Sequence, residues 1–263
     1  MKKNILLDKV IMLFISIYLL LPLILTFIYS IFNEWTSILP SGFTLKYYIQ
    51  VLTDPLFIAS LLRSLIISFI PVLVCTLAMI LVFYVTTLYF PKLERIIEIL
   101  CTIPYSIQGI IIAVGVLSLY SGIGGMLSNR FLLLVGTYCI IILPYVYRGL
   151  KNSLNAIHVH TLIEAGQMLG CSKPKAFFSI ILPNMLSGIV VSMMISISMI
   201  FADFVIVNII GGSYFQTASM YLYKAMSKSG QITSAIIVVL FMTTLLISKI
   251  VTNIENKTKR KEK

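Results

Sequence analysis

Residues 164–183, "EAGQMLGCSKPKAFFSIILP", form a polar interruption in an otherwise strongly apolar chain. An acid opens the stretch, glycines occupy its third and seventh positions, and a proline ends it. The helix-forming residues before Gly170 predict a short helix that ends there, because glycine readily takes the left-handed conformation that closes a helix. Ser172 and Pro174 suit the cap and the first turn of a second helix. Pro183, which has no backbone N–H, is expected to mark the bend into the next segment.

The second predicted helix has an apolar side. Phe177 and Ile181 lie four residues apart, as do Phe178 and Leu182, and this spacing places each pair on one face of a helix. The whole stretch therefore predicts a helix, a sharp turn, a second helix and entry into an apolar segment. We interpret it as a rigid projection.

The composition of the chain indicates that its solvent includes lipid. Hydrophobic residues make up 59% of the 263 positions, and the mean hydropathy is +1.02, whereas soluble domains are about 45–50% apolar. Only 11% of residues are charged, yet the net charge is +11. The basic residues lie between and beyond the apolar runs, which suits an anionic membrane face better than nucleic acid. These features predict an all-α, polytopic membrane protein.

Six segments are long enough to cross a membrane, which takes about 20 apolar residues in a helix. They cover residues 10–32, 57–84, 99–120, 131–147, 185–210 and 232–251. The first is too long for a signal peptide, and no small-x-small cleavage pattern follows it, so we expect an uncleaved anchor. The sequence thus predicts six transmembrane helices in a single transmembrane domain over residues 1–263, with a polar, disordered tail at about 254–263.

The distribution of Lys and Arg predicts the orientation, because cytoplasmic loops carry an excess of both. If both termini are cytoplasmic, fifteen of the 20 Lys and Arg residues lie on that side. The other five are Lys46, Arg63, Arg130, Lys224 and Lys228. This orientation places residues 164–183 in the cytoplasm. It places residues 33–55 and 211–231 in outer loops, the second with a short amphipathic helix near 217–227.

Several kinds of chemistry have no support in the sequence. No glycine-rich loop ends in Gly-Lys-Ser/Thr, so we expect no ATP hydrolysis by this chain. The glycine cluster at 122–125 suits a turn, and His158 and His160, two residues apart, lie on different helix faces. The cysteines have no metal or disulfide spacing and are expected as small buried hydrophobes: Cys75, Cys101, Cys139 and Cys171. We therefore predict no catalytic and no metal-binding residues.

The opening stretch resembles the EAA loop of permease subunits in binding-protein-dependent ABC importers. The residues that carry the resemblance are Glu164, Ala165, Gly170, Phe178, Ile180, Leu182 and Pro183. Gly166 departs from the family, which usually has a small Ala or Ser there, but it keeps the small size. The position of the loop after the fourth of six segments is also that of the family. The resemblance implies the type I ABC importer permease fold.

In that family the loop forms a coupling helix, which docks in a groove on a cytoplasmic ATPase subunit. The resemblance implies a coupling loop at about 151–184, with ATPase-coupling residues Glu164, Ala165, Gly166, Gly170 and Pro183. Ala165 and Gly166 would permit close approach, and Gly170 would set the turn. Glu164 would accept hydrogen bonds. The chain is then a transport subunit that is not an enzyme and holds no cofactor, since ATP and Mg belong to the partner ATPase.

Two further stretches resemble the branch of the family that imports spermidine and putrescine. They are "GFTLKYYIQVL" at 42–52 and "DFVIVNIIGGSYFQT" at 203–217. Related branches import ferric iron, thiamine, sulfate or 2-aminoethylphosphonate. The resemblance implies a bacterial inner membrane location and three kinds of partner: cytoplasmic ATPase subunits, a second permease and an extracytoplasmic substrate-binding protein. For the second permease we expect a paralogue rather than a copy.

Two charged residues inside predicted spans bear on the substrate, since such charges are costly and usually face a cavity or a partner. Asp203 cannot reach the membrane surface from its depth, so we expect it in the translocation path, where it favours a cation. Arg63 has three interpretations: it reaches the outer headgroups, it pairs with Asp203, or its planar fork binds phosphate or carboxylate in the path. Asn208, with Tyr214 and Gln216, is expected to add polar lining near the outer mouth.

We therefore predict an importer of a polyamine such as spermidine or putrescine. The alternatives within the same family are 2-aminoethylphosphonate, ferric iron and thiamine. Arg63 favours the first of these, because its planar fork suits the phosphonate group. An ion-coupled secondary transporter would need acids in several spans and paired broken helices, and a membrane enzyme would need a catalytic cluster. Asp203 is the only residue in the sequence that would support either of these two alternatives.

Overall fold

The computed structural model describes residues 5–34, 41–122 and 124–261, and most of these are helical. In chain order the α-helices are α1 (Ile5–Ser30), α2 (Lys46–Thr53), α3 (Pro55–Leu88), α4 (Glu94–Thr102), α5 (Gly109–Tyr120), α6 (Arg130–Asn155), α7 (Val159–Met168), α8 (Lys173–Ala176), α9 (Leu182–Ala202), α10 (Val205–Ile210), α11 (Ala218–Met226) and α12 (Gly230–Lys261). The short amphipathic helix predicted near 217–227 is confirmed as α11.

One feature departs from the all-α prediction. Two short strands, β1 (Phe32–Glu34) and β2 (Ser41–Phe43), pair as an antiparallel hairpin with Phe32 opposite Phe43. The hairpin lies in the predicted loop at 33–55, where it pairs backbone groups that an irregular loop would leave open. All other regular elements of the described chain are helices, as expected.

Five of the described helices are long and apolar enough to cross a membrane: Lys9–Ser30, Pro55–Leu88, Arg130–Asn155, Lys173–Ala202 and Gly230–Ile250. The bent pair Pro91–Ser106 and Gly109–Tyr120 makes a sixth if it is counted as one span. The described chain therefore has five or six candidate spans, against the six predicted from sequence.

The third predicted span, at 99–120, is bent rather than straight. The helices on either side of the break meet at 98°. A 3-10 turn at Ile103–Ser106 contains Pro104, which cannot donate a helical hydrogen bond, and Gln108 is extended with a ψ of 134°. The hydropathy of the sequence does not reveal this bend, because apolar runs flank it on both sides.

The fifth predicted span, at 185–210, differs at both ends. Its helix begins earlier, at Lys173, and stays continuous to Ala202 through a π-helical turn at Phe177–Ile181. The helix is therefore unbroken at Pro183, because the wider π turn before it shifts the hydrogen-bond register and lets the helix continue. The bend predicted there stays a prediction. At the other end α9 stops before Asp203, and α10 begins only at Val205.

Helix α12 extends beyond the sixth predicted span. It runs from Gly230 to Lys261, so it includes most of the tail at about 254–263 for which the sequence predicted disorder. The residues of this tail include many lysines and glutamates, which are good helix formers, and neither glycine nor proline interrupts them. The helix therefore continues from its apolar part into its polar part.

The described chain divides into two compact units. The first combines residues 5–34 and 41–59 with 221–245, and the second combines 60–122 and 124–220 with 246–261. In the first unit, α1 exposes the apolar side chains along most of its length. An apolar groove of about 490 Å³ lies between α1 and α12 within this unit. Such exposed apolar surface is what a helix in contact with lipid presents.

The core of the second unit is built on the crossing of α6 and α9. A β-carbon at Gly188 would overlap the Ser153 hydroxyl, and one at Gly149 would overlap the Ser192 side chain. Glycine at both positions therefore lets the two helices approach closely, as small residues do at helix crossings in membranes. The crossing fixes α6 beside α9 along its length.

Candidate functional site

A cavity of about 330 Å³ lies in the second unit, between α5, α6, α9 and α10. Its polar side chains come from three tyrosines and one acid, which are Tyr105, Tyr138, Tyr145 and Asp203. The rest of the lining is apolar, with Ile107 and Met199 among its members. A concave, mainly apolar cavity with a few convergent polar groups is typical of a ligand site. The structure thus places Asp203 at a cavity.

The carboxylate of Asp203 is held from two directions. One oxygen accepts a hydrogen bond from the Tyr138 hydroxyl at 3.1 Å, and the other accepts from the Val205 backbone N–H at 3.0 Å. The second contact caps the start of α10, which explains why the helix is interrupted at this point. Asp203 therefore has a structural role in addition to facing the cavity.

An aromatic pair stands in the same cavity, and sequence reasoning missed it. The rings of Tyr105 and Tyr145 lie 5.1 Å apart between centroids, tilted by 43°. The guanidinium of Arg148 lies over the Tyr105 ring, 4.9 Å from its centroid, within the range of a cation–π contact. A signal was present in the sequence, since Tyr138, Tyr145 and Arg148 follow one face of α6 at helical spacing.

Arg63 and Asn208 do not line this cavity. Arg63 is exposed on α3, and Asn208 is exposed on α10. Within the described residues no ion pair joins Arg63 to Asp203, so the structure does not support the interpretation in which these two charges pair.

The predicted helix–turn–helix between α6 and α9 is present as α7 and α8. Gly170 has a φ of +83°, the left-handed conformation predicted for it. The N–H of Gly170 donates to the Gln167 carbonyl, and that of Cys171 donates to the Gly166 carbonyl, both at 2.9 Å. This pair of bonds is the Schellman motif that closes a helix at a glycine. The turn after α7 is therefore fixed by backbone hydrogen bonds.

Two details of the projection, one at each of its helices, differ from expectation. Ser172 occupies the position before α8, but its side chain makes no capping hydrogen bond. Gly166 is buried, and a β-carbon there would come within 3.1 Å of Ile180 and 3.4 Å of Ala176. The small size at Gly166 therefore serves the packing of α7 against α8 and the π turn that follows it.

The tip of the projection carries an exposed apolar pair that sequence reasoning also missed. Met168 is 89% exposed and Leu169 is 86% exposed, while Glu164 and Ala165 on the same helix are exposed as well. Exposed apolar side chains beside a rigid turn are a candidate surface for contact with another protein. The available signal was two apolar residues directly before Gly170 in a polar stretch.

At the base of the projection, Glu94 of α4 forms an ion pair with Lys151 of α6. The pair lines a cavity of about 370 Å³ that also includes His158, just before α7. Among the described residues, no group of three or more His, Cys, Asp or Glu side chains is arranged to hold a metal ion. The ion pair thus connects α4 to the segment from which α7 projects.

Comparison with known proteins identifies the class of this chain. The sequence family described as "Binding-protein-dependent transport system inner membrane component" matches residues 61–260. The chain belongs to this family. It is the permease subunit of a binding-protein-dependent ABC importer. No curated protein sequence matches it.

The fold of the permease is similar to that of solved ABC importers. A bacterial importer of the acidic polysaccharide alginate has a TM-score of 0.71 at 17% identity, over 97% of this chain and 95% of that chain. The alginate transporter in complex with its alginate pentasaccharide-bound periplasmic protein has 0.71 at 15%, over 96% and 92%. The inward-facing MetNI methionine transporter has 0.64 at 17%, over 82% and 99%. At these identities the likeness shows the fold alone.

The matched region of the permease contains both the cavity around Asp203 and the projection formed by α7 and α8. The predicted family is therefore confirmed, and the alternatives of a secondary transporter and a membrane enzyme are not supported. The polyamine branch and the roles of individual residues stay predictions.

Proposed function

We propose that the permease carries a small organic cation of the polyamine type, such as spermidine or putrescine, into the cell. The observation that carries this proposal is the Asp203 carboxylate in a cavity with three tyrosines. A carboxylate pairs with an ammonium group, and the faces of aromatic rings attract cations. An anionic substrate would instead meet a negative charge inside the cavity.

In the sequence analysis, Arg63 was the residue that favoured a zwitterionic or anionic substrate. Its exposed position on α3, outside the cavity lining, gives it no part in this site within a single permease. Reaching the headgroups is then the interpretation that best suits its position. 2-Aminoethylphosphonate, ferric iron and thiamine remain outcomes for the substrate test, as does a role for Asn208 near the mouth of the path.

The projection of α7 and α8 is proposed to couple the permease to its ATPase. On the orientation indicated by the Lys and Arg distribution, it lies in the cytoplasm. Glu164 and Ala165 are exposed for contact, together with Met168 and Leu169 at the tip. Gly170 holds the turn.

Gly166 and Pro183 have a different part in this proposal. Gly166 is buried against α8, and Pro183 lies in the first turn of α9. We assign both to the internal packing of the projection, so their substitution would change the shape of the coupling surface rather than its contacts.

The mechanism that we propose is alternating access at the interface of two permeases. Closure of two ATPase subunits on ATP and Mg moves the projections and opens the path outward, so that a cation reaches Asp203. The second permease is a paralogue rather than a copy. The loaded binding protein docks on the outer loops at 33–55 and 211–231, of which residues 35–40 lie outside the described residues. The solved alginate transporter bound to a periplasmic protein supports this type of partner.

Uptake by the complete transporter in proteoliposomes tests the substrate class. Radiolabelled putrescine and spermidine are compared with 2-aminoethylphosphonate, thiamine and ferric iron, each in the presence of the binding protein and ATP. We expect ATP-dependent uptake of the polyamines and little of the others. Uptake of the phosphonate in preference to both polyamines would overturn the proposal.

A further inference from the structure

One face of α6 leads from the acid to a fixed positive charge. Tyr138, which donates to Asp203, lies two helical turns before Tyr145, and Arg148 follows three residues later. At about 1.5 Å per residue, this face covers about 15 Å from Tyr138 to Arg148. Tyr138 and Tyr145 both line the cavity, and Arg148 lies beyond its lining.

The Tyr105 ring already holds a cation in this structure. The Arg148 guanidinium lies 4.9 Å from the ring centroid, and Tyr105 as a residue is 47% exposed, so Arg148 does not cover it completely. Tyr145 packs beside it with 5.1 Å between the ring centroids. Because the attraction arises from the negative face of the ring, a ring face that accepts a guanidinium also accepts an alkylammonium group.

We infer that Tyr105 and Tyr145 form a second cation site for the transported ammonium group, and that Arg148 occupies this site until the substrate takes its place. The inference rests on the proposed function. Asp203 supplies the first site by charge, and the aromatic pair supplies the second by its ring faces. The positive charge of Arg148 excludes free cations from the second site in the resting permease.

The position of Tyr105 allows the site to open without unfolding a helix. Tyr105 lies in the 3-10 turn at Ile103–Ser106, directly before the break at which the chain bends by 98° into α5. Arg148 is on the long helix α6. A change of angle at this turn separates the Tyr105 ring from Arg148 while both helices stay intact.

The first test measures putrescine uptake by the complete transporter in proteoliposomes with the binding protein and ATP. Tyr105→Leu removes the ring face, and we expect it to raise the KM for putrescine about threefold, the factor expected for a lost cation–π contact at a half-exposed site. Tyr105→Phe keeps the ring, so its KM should rise far less. Tyr120→Leu, at the C-terminal end of α5 and outside the cavity lining, is the matched control and should leave KM unchanged.

The second test measures leakage. Vesicles that contain the transporter are loaded with putrescine, and its efflux is followed without ATP. Arg148→Gln removes the resident cation and should raise efflux several-fold. Arg95→Gln, which removes a positive charge from an exposed position on α4, is the matched control and should leave efflux unchanged.

The outcomes separate this inference from the proposed function. If the wild-type transporter takes up no putrescine, the proposed function is wrong and the inference falls with it. If putrescine uptake depends on Asp203 but Tyr105→Leu and Tyr105→Phe have equal KM values, only the inference is wrong. If Tyr105→Leu loses basal ATPase activity through misfolding, two other measurements test the inference. They are the KM of Tyr105→Trp for putrescine and the putrescine efflux of Arg148→Gln. A raised KM in Tyr105→Trp, or an unchanged leak, overturns the inference.

Discussion

The Tyr138 hydroxyl donates to the Asp203 carboxylate at 3.1 Å, across 65 positions of sequence. The contact joins the middle of α6 to the break between α9 and α10. It orients an acid toward a cavity while the other oxygen of the same carboxylate caps α10. Charge and capping can therefore be separated by substitution.

Asp203→Asn should lower uptake of a cationic substrate at least about tenfold while the permease stays folded. The amide oxygen of Asn still accepts the Val205 N–H, so the cap is kept and only the charge is lost. Asp203→Ala loses both and should also destabilise the permease by about 1 kcal/mol. Uptake assays and thermal unfolding in detergent measure the two effects. Unchanged uptake in Asp203→Asn would remove Asp203 from the substrate path.

Gly170→Val should uncouple ATP hydrolysis from transport. The φ of +83° at Gly170 is strongly unfavourable for a β-branched residue, so the turn after α7 must change shape. Gly170→Asn is the matched control, because Asn tolerates this conformation better than other residues. The measurement is stimulation of ATPase activity by the loaded binding protein. Normal stimulation in Gly170→Val would show that the turn has no part in coupling.

The double variant Met168→Ser and Leu169→Ser should weaken binding of the ATPase subunit to the permease. Both side chains are almost fully exposed, and burying one such apolar side chain contributes about 1.5–3 kcal/mol. We expect at least about a tenfold loss of affinity. Met226→Ser, which replaces an exposed apolar side chain on α11 in the same way, is the control. Co-purification of the ATPase in equal yield from all variants would contradict this assignment.

Glu164→Lys should give a weaker form of the same defect. Glu164 is exposed on α7, where a reversed charge changes the contact surface without affecting the fold. The expected result is lower transport and lower ATPase stimulation with an unchanged melting temperature. If transport and stimulation both survive, Glu164 lies outside the coupling surface.

Gly188→Ala should destabilise the permease by about 1–3 kcal/mol, the usual range for overpacking. Its β-carbon would overlap Ser153 at the crossing of α6 and α9. Gly136→Ala is the matched control, since a β-carbon there meets nothing within 4 Å. The control should be neutral or slightly stabilising, because alanine is the better helix former. Thermal unfolding in detergent compares them, and equal melting temperatures would contradict the close crossing.

Tyr221→Phe should change how stability depends on pH in the first unit. The Tyr221 hydroxyl donates to the Asp54 carboxylate at 2.5 Å and lowers the pKa of Asp54 from its ordinary value. A carboxyl with a lowered folded pKa contributes stability above its unfolded pKa, and this contribution is lost as pH falls through the folded pKa. The melting temperature of the variant should therefore fall less than that of the wild type between pH 6 and about pH 3. Parallel pH profiles would show that the bond has no energetic weight.

Much of the fold could be predicted from local features of the sequence. Apolar runs of sufficient length predicted the helices that became α1, α3, α6 and α12. Gly170 predicted its own left-handed turn, because that conformation depends on the residue itself and its nearest neighbours. The prediction failed at residues 99–120 and at the start of the fifth span, where the backbone depends on how a proline is accommodated by the turns around it.

By itself, the sequence determined four of the long apolar helices, the family and the turn of the projection at Gly170, since hydropathy and glycine conformation are properties of neighbouring residues. Only the tertiary structure decided what the functional residues contact. It brought Tyr138 to Asp203 and Arg148 to Tyr105, and it turned Gly166 inward against α8. These contacts join residues on different helices, and their partners are chosen by helix crossings and bends that no local pattern encodes.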